Sequence, residues 1–222
     1  MTNELPDASL KHIARLSVRL WDRYYVPAKL RSDPVYSAVA KELADTELPV
    51  LDIGCGLGLL GFYLREAGFK PEITGFDYDT RKISSALRMA ERGDYAGLVF
   101  LTGDARTGLP EHGGNVVILD ILQFFTRVEQ GALLQAAAAR VAAGGRLVIR
   151  SGLEDDSARF RITVAGDWLA KLTLWMKAAP VCYPTRELFE SVLGAAGLKV
   201  RVGPLWGGTP FNNHLIVAER QL

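Results

Sequence analysis

Cysteine and histidine are scarce in this chain, with two of the first and three of the second among 222 residues. Cys55 and Cys182 lie far apart and form no CxxC pair or Cys/His cluster, which argues against a zinc site and leaves no disulfide framework. No metal is expected. Charge of one sign is also missing: 26 Lys and Arg against 25 Asp and Glu give a net charge of +1. Such a chain has no global field for nucleic acid or an anionic membrane, and nucleic acid is not an expected partner. No apolar run is long enough to span a bilayer, and the start, MTNELPDASLKHIAR, lacks the apolar core of a secretion signal. A soluble, reducing, cytoplasmic setting is the expectation. Repeats, low-complexity tracts and Pro/Gly/Ser linkers are absent too, so nothing divides the chain. With 49% hydrophobic and 23% charged residues, it has the balance of a globular protein. Its length suits one α/β domain with additions.

What is present is alternation. Leu10, Ile13, Leu16, Leu20 and Tyr24 form an amphipathic helical stripe that Pro27 is expected to interrupt. Asp33-Pro34 then reads as the cap and first position of a second helix. From Pro49 the strands PVLDI, EITGFDY, LVFLTGD, NVVILD and RLVIRS are separated by the helices LLGFYLREAG, DTRKISSALRMAERG and VEQGALLQAAAARVAA. Short continuous apolar strands between helices imply a parallel sheet covered on both faces. After the helix TRELFESVLGAAG, the strands LKVRVGPLW and NHLIVAER are joined by a loop too short for a crossover helix. Those two are expected to run antiparallel.

The loop after the first strand, VLDIGCGLGLLG, can be parsed in two ways. Gly56-x-Gly58-x-x-Gly61 has the spacing of a dinucleotide-binding turn. Asp52-x-Gly54-x-Gly56-x-Gly58 is an acid followed by alternating glycines, which suits S-adenosylmethionine (SAM). The glycines alone do not choose, since either ligand needs a sharp turn and a close backbone approach. Asp77 at the end of the second strand can accept both hydroxyls of a ribose, which NAD and SAM share. Asp104, after the third strand, can meet the amine of adenine. Asp52 can hold the ammonium of a methionine moiety, whereas an acid there would sit poorly against a pyrophosphate. Gly61 reads as a helix-packing position and Cys55 as a packing residue with no base beside it.

VLDIGCGLG, FDYD, TGDA, NVVILDILQFF and AAGGRLVIR, taken in order over residues 49–152, resemble the motif series of class I SAM-dependent methyltransferases. The resemblance implies an α/β, Rossmann-like doubly wound seven-stranded sheet, mostly parallel, with a reversed C-terminal β-hairpin and helices on both faces. Residues 1–47 would be an N-terminal helical lid or extension, 48–152 the SAM-binding core, 153–184 a helical insertion, and 185–222 the last helix and hairpin. It implies SAM as cofactor and S-adenosylhomocysteine (SAH) as product. Asp52, Gly54, Cys55, Gly56 and Gly58 would line the methionine side. Asp77 and Tyr78 would serve the ribose, Asp104 and Ala105 the adenine, and Asp120 would lie beside the sulfonium. YYVPAKLRSDPVY and WMKAAPVCYPT also resemble, faintly, methyltransferases of bacterial aryl polyene or polyketide-like pathways.

An acceptor would be bound outside the motif series. Trp21, Tyr24 and Tyr25 in the N-terminal segment, Phe124, Trp168 and Trp175 (the last two beside Leu169, Leu172 and Met176 in the insertion), and Phe211 and Asn213 in the hairpin loop are the substrate-binding candidates. His214 and Asp120 are the candidate bases, because histidine transfers protons near neutral pH. His12 and His112 read as surface residues. Lys11, Arg15, Arg19 and Arg23 form a basic ridge that is either a solvated helix face or a dock for an acidic partner such as an acyl carrier protein. The expected activity is methylation of a small aromatic or acyl-type acceptor at oxygen or carbon. The alternatives are an NAD(P)-binding oxidoreductase, which would need a second mononucleotide half, and a SAM-binding partner protein without catalysis.

Overall fold

A strand that is apolar on both sides must lie inside a sheet. In a computed structural model, which describes residues 4–17, 20–172 and 180–222, the strand β1 (Val50–Ile53) is buried throughout and pairs with β2 (Ile73–Asp77) and β4 (Asn115–Leu119). With β3 (Leu98–Thr102), β5 (Arg146–Gly152), β6 (Leu198–Pro204) and β7 (Asn213–Arg220) they form a seven-stranded sheet of order β3-β2-β1-β4-β5-β7-β6. The first five strands are parallel, and β7 slots between β5 and β6, antiparallel to both. The insertion of β7 between β5 and β6 interrupts the second βαβαβ half that a dinucleotide-binding sheet would have. Doubly wound with one reversed hairpin, the sheet has the architecture expected from the sequence.

Side chains alternate across the sheet, so each face has its own core. Val50, Val117, Val148 and Val217 pack with the N-terminal helices α1 (Asp7–Leu16), α2 (Leu20–Ser32) and α3 (Val35–Glu42), and with α4 (Leu59–Glu66) and α5 (Thr80–Arg92). Leu51, Ile118, Ile149 and Ile216 pack on the other face with α6 (Arg127–Ala138) and α8 (Arg186–Ala195). By the same parity Asp52 and Arg150 belong to the first face and His214 to the second. The helix α7 (Ala158–Leu172) follows β5. Among the described residues no helix is long and apolar enough to cross a membrane.

Three helix boundaries differ from the sequence reading. Pro27 does not interrupt a helix; α1 ends earlier, at Leu16, and Pro27 lies inside α2. A proline there removes one backbone hydrogen bond, and burial of Val26 and Leu30 on either side holds the helix across the gap. At the second difference, α6 opens on a capping box between Thr126 and Glu129 but stops at Ala138, short of the diglycine. The chain beyond it is drawn to the sheet, where Val141 bridges Gly114 and the Ala142 N–H donates to the Gly114 carbonyl at 3.0 Å. The helix α3 starts one residue later than Asp-Pro suggested, with Pro34 as its cap, and Asp33 accepts the Val35 N–H at 3.1 Å from just outside it.

Candidate active site

The carboxyl ends of the parallel strands open into a cleft of about 1120 Å³. Open α/β sheets bind ligands at this edge, where the strand order reverses. The β1–α4 loop is pinned there by its own backbone. The N–H groups of Gly54 and Cys55 donate to the Phe76 carbonyl at 2.7 and 3.2 Å. The Gly56 N–H donates to Asp77 Oδ2 at 2.9 Å, and the Asp79 N–H to Asp77 Oδ1 at 2.8 Å. Each Asp77 oxygen keeps lone-pair capacity for a ligand.

The alternating glycines have unequal tasks. At Gly54 (φ +79°) a Cβ would stand 2.6 Å from the Ile121 side chain, and at Gly58 (φ +71°) one would stand 2.4 Å from Phe100. These two let neighbouring side chains close against the turn. At Gly56 (φ +57°) the nearest atom is Lys82 Cδ at 3.9 Å, so its missing side chain leaves room in the cleft. Gly54, Cys55 and Gly56 line the cleft, whereas Gly58 faces Phe100 at the start of α4. Gly61 packs inside α4 against Leu98 and Ile73.

Asp52 is 3% exposed, and its carboxyl accepts no hydrogen bond from any described residue. Burial, reinforced by the charge of Asp77, pushes its pKa up to about 7. A buried acid left this way is matched by a cationic ligand group. Burial, with Asp52 and Asp77 adding to it, drives the Cys55 thiol well above the usual cysteine range, so it is inert as a nucleophile. Tyr78, Asp104 and Ala105 complete this end of the cleft. Arg106, which the sequence reading passed over, ties Asp104 to the rest: its N–H donates to Asp104 Oδ1 at 2.9 Å, its Nη2 to the Phe124 carbonyl at 2.9 Å, and its Nε to Glu129 at 3.2 Å.

The other end of the cleft is aromatic. Trp21, Tyr25, Phe124, Phe211 and Asn213 line it, joined by Tyr183, Leu205 and Thr163, which were not anticipated. Tyr24 is 78% exposed on α2 and does not line it. The Trp168, Leu169 and Leu172 side chains, and all of Arg19, Trp175 and Met176, lie outside the described residues. Asp120 lies in the cleft just past β4. His214 does not. It shares the Ile216 face of β7, feels the charge of Arg186 on α8, and stands 6.3 Å from the Trp206 ring. Its Nδ1 lies 3.2 Å from the Asn212 carbonyl, and burial pushes its pKa down. One residue of strand parity separates it from Asn213, which faces the cleft.

Beneath this end lies an ion-pair chain. Lys29 Nζ is 2.6 Å from Asp33 Oδ2, Arg150 Nη1 donates to Asp33 Oδ1 at 2.8 Å, and Arg150 Nη2 donates to Asp120. Burial pushes the Asp33 pKa up, but Arg150 and Lys29 outweigh it and hold the carboxyl below its ordinary value. Its members come from α2, the turn after it, the turn after β4 and β5, so apart from the Lys29–Asp33 link (i, i+4) spacing along the chain could not show it. The available signal was Arg150 itself, a charge at the end of the buried strand RLVIRS, which demands a buried partner.

The set of groups fits SAM better than a dinucleotide. It offers an orphaned acid for an ammonium, a ribose-type carboxylate at Asp77, and space over Gly56, and the buried Asp52 would sit poorly against a pyrophosphate. A Rossmann-like sheet with a reversed hairpin and this cleft defines a nucleoside-cofactor transferase fold. A family model described as a methyltransferase domain matches residues 44–175, more than half of the chain. The chain therefore belongs to the class I SAM-dependent methyltransferase family. No curated protein matches it in sequence. Among solved structures it is similar to the magnesium protoporphyrin IX methyltransferase of Synechocystis PCC 6803 with bound SAH, with a TM-score of 0.65, 18% identity, and coverage of 96% of this chain and 94% of the other. It also resembles the pyocyanin biosynthetic protein PhzM (TM-score 0.67, 19% identity, 95% of this chain and 61% of that one). PigF with SAH is a third (TM-score 0.68, 16% identity, 95% and 62%).

Proposed function

We propose that this protein transfers the methyl group of SAM to a small, flat acceptor with an acidic hydroxyl or an activated carbon. The observation that carries this reading is the composition of the cleft: a backbone-built turn with carboxylates, and a wall of aromatic side chains, with Asp120 also lining it. Asp52, Gly54, Gly56, Asp77, Asp104 and Ala105 would hold the cofactor, with Tyr78 at its edge. Bound SAM supplies an electrophilic methyl group on a sulfonium. The protein's task is to align the acceptor in line with that bond and exclude water. Trp21, Tyr25, Phe124 and Phe211 sandwich a planar acceptor, and Asn213 offers it an amide. Asp120 receives the hydrogen bond of the acceptor hydroxyl. A carboxylate in this role suits a phenol or enol rather than an aliphatic alcohol.

A free acceptor is favoured over one on an acyl carrier protein. Of the basic ridge, Lys11 is paired with Asp7 at 2.7 Å, so it is not free for an acidic partner. The test is thermal stabilisation by SAM, SAH and NAD, followed by transfer of labelled methyl to a panel of phenols and enols. Stabilisation by NAD alone would sink the reading. Cofactor binding without transfer to any small molecule of a host lysate would favour the non-catalytic alternative, and label found only in RNA or protein would move the acceptor to another class.

A further inference from the structure

Arg150 is 5% exposed and bonded through its two terminal nitrogens to Asp33 and Asp120. Asp120 is held from three further directions. Its N–H donates to the Arg150 carbonyl at 3.0 Å, its own carbonyl accepts from Gln123 Nε2 at 3.0 Å, and its backbone takes a left-handed φ of +56°. Aspartate tolerates that conformation, which persists when the surroundings enforce it. A carboxylate fixed this firmly at the centre of a cleft has its field set by its partner.

We propose that Arg150 is a positioning residue that balances the charge of Asp120, and so sets how strongly this protein prefers cationic SAM to neutral-sulfur SAH. The inference rests on the reading that Asp120 lies at the sulfonium end. SAM and SAH differ there by one positive charge. An uncompensated carboxylate would stabilise the donor before transfer, and that attraction would be lost as the charge is lost, which opposes the reaction. Paired with Arg150, Asp120 presents a dipole and keeps its hydrogen-bonding capacity. Lys29 and Asp33 complete a chain of two cations and two anions, so the chain itself adds no net charge to the cleft.

The experiment is calorimetric titration of SAM and of SAH onto the full chain, read as the ratio of the two affinities. Arg150→Met is expected to raise preference for SAM by about tenfold and Asp120→Asn to lower it by a similar factor, as for one charge a few ångströms away in a partly screened site. The double variant and Arg150→Lys should return close to the starting ratio. A purely structural role would change both affinities together. If Asp120→Asn leaves the ratio unchanged, Asp120 is not at the sulfonium and the site reading fails. If it lowers the ratio while Arg150→Met does not raise it, the charge-balance inference is overturned and the site reading stands. Should Arg150→Met fail to fold, Asp33→Asn poses the same question, because it leaves the chain one positive charge in excess. That variant should lower the ratio about threefold, and an unchanged ratio would overturn the inference.

Discussion

At the glycine-loop end of the cleft the backbone does the holding, and at the aromatic end the side chains do. Gly54, Cys55 and Gly56 hang their N–H groups on Phe76 and Asp77, between the ends of two adjacent strands. The aromatic end is fastened through Lys29, Asp33, Arg150 and Asp120, and through Asn212, whose N–H donates to Thr163 Oγ1 at 2.8 Å and whose amide donates to the Leu153 carbonyl at 2.9 Å. A geometry made of backbone survives most substitutions, so it suits a cofactor that every member of a family shares. A geometry made of side chains changes with single substitutions, so it suits an acceptor that differs between members.

The largest effect is expected where the side-chain end is cut at its buried link. Asp33→Ala removes the partner of both Lys29 and Arg150 and should cost about 3–5 kcal/mol in denaturant unfolding, as for a broken buried pair. SAH affinity measured below the melting temperature should stay within about threefold. A loss of SAH binding as large as the loss of stability would mean that the two ends are one cooperative unit.

Asp52 gives the backbone end its own vulnerability. Its folded pKa of about 7 is above the ordinary carboxylate value, so the folded protein keeps a proton that the unfolded chain releases. The contribution of Asp52 to stability is therefore fully present below about pH 4, falls as pH rises toward 7, and levels off above that. The span is on the order of 4 kcal/mol at most, and smaller where water reaches the site. Asp52→Asn should flatten this slope. If Asp52 faces the cofactor's ammonium, SAM binding at pH 6 should release a proton, read as buffer-dependent binding heat.

Gly54→Ala tests the turn directly. The new Cβ combines a left-handed backbone with a 2.6 Å contact to Ile121, for a cost of about 1–3 kcal/mol. SAH affinity should fall more than tenfold, in contrast to Asp33→Ala. Equal losses of affinity in the two variants would erase the distinction between the ends.

The same division explains what was legible in the sequence. Asp52, the glycines and Asp77 fall within a few residues of strand ends, where local pattern and backbone need coincide. The reversed hairpin was legible because a short loop permits only one geometry. Pro27 misled because tertiary burial of Val26 and Leu30 overrode a local rule. Asp33 could be read as a cap, but its ion pair with Arg150 spans 117 positions, beyond the reach of spacing. Tyr183 enters the cleft from a loop and Thr163 from α7, through long-range packing that no periodicity encodes.

His214 sharpens the comparison by an effect that should be close to nothing. Topology alone brings the start of β7 to the cleft, and chemistry alone makes histidine the natural base there. Strand parity separates the two arguments: Asn213 and Leu215 face the first core, while His214 and Ile216 face α8. Burial already lowers the His214 pKa, so it is neutral at pH 7 and contributes its ring to packing beside Trp206. His214→Asn should therefore change methyl transfer by less than about twofold at pH 7–8, with a stability loss of about 1 kcal/mol or less. Its pH–rate profile should keep the shape of the unsubstituted protein, since no proton passes through the ring. A large fall in rate with unchanged SAM and acceptor binding would return the histidine to the chemistry. It would also require the hairpin to turn over by one residue when the acceptor binds, which would make the register of β7 part of the acceptor site.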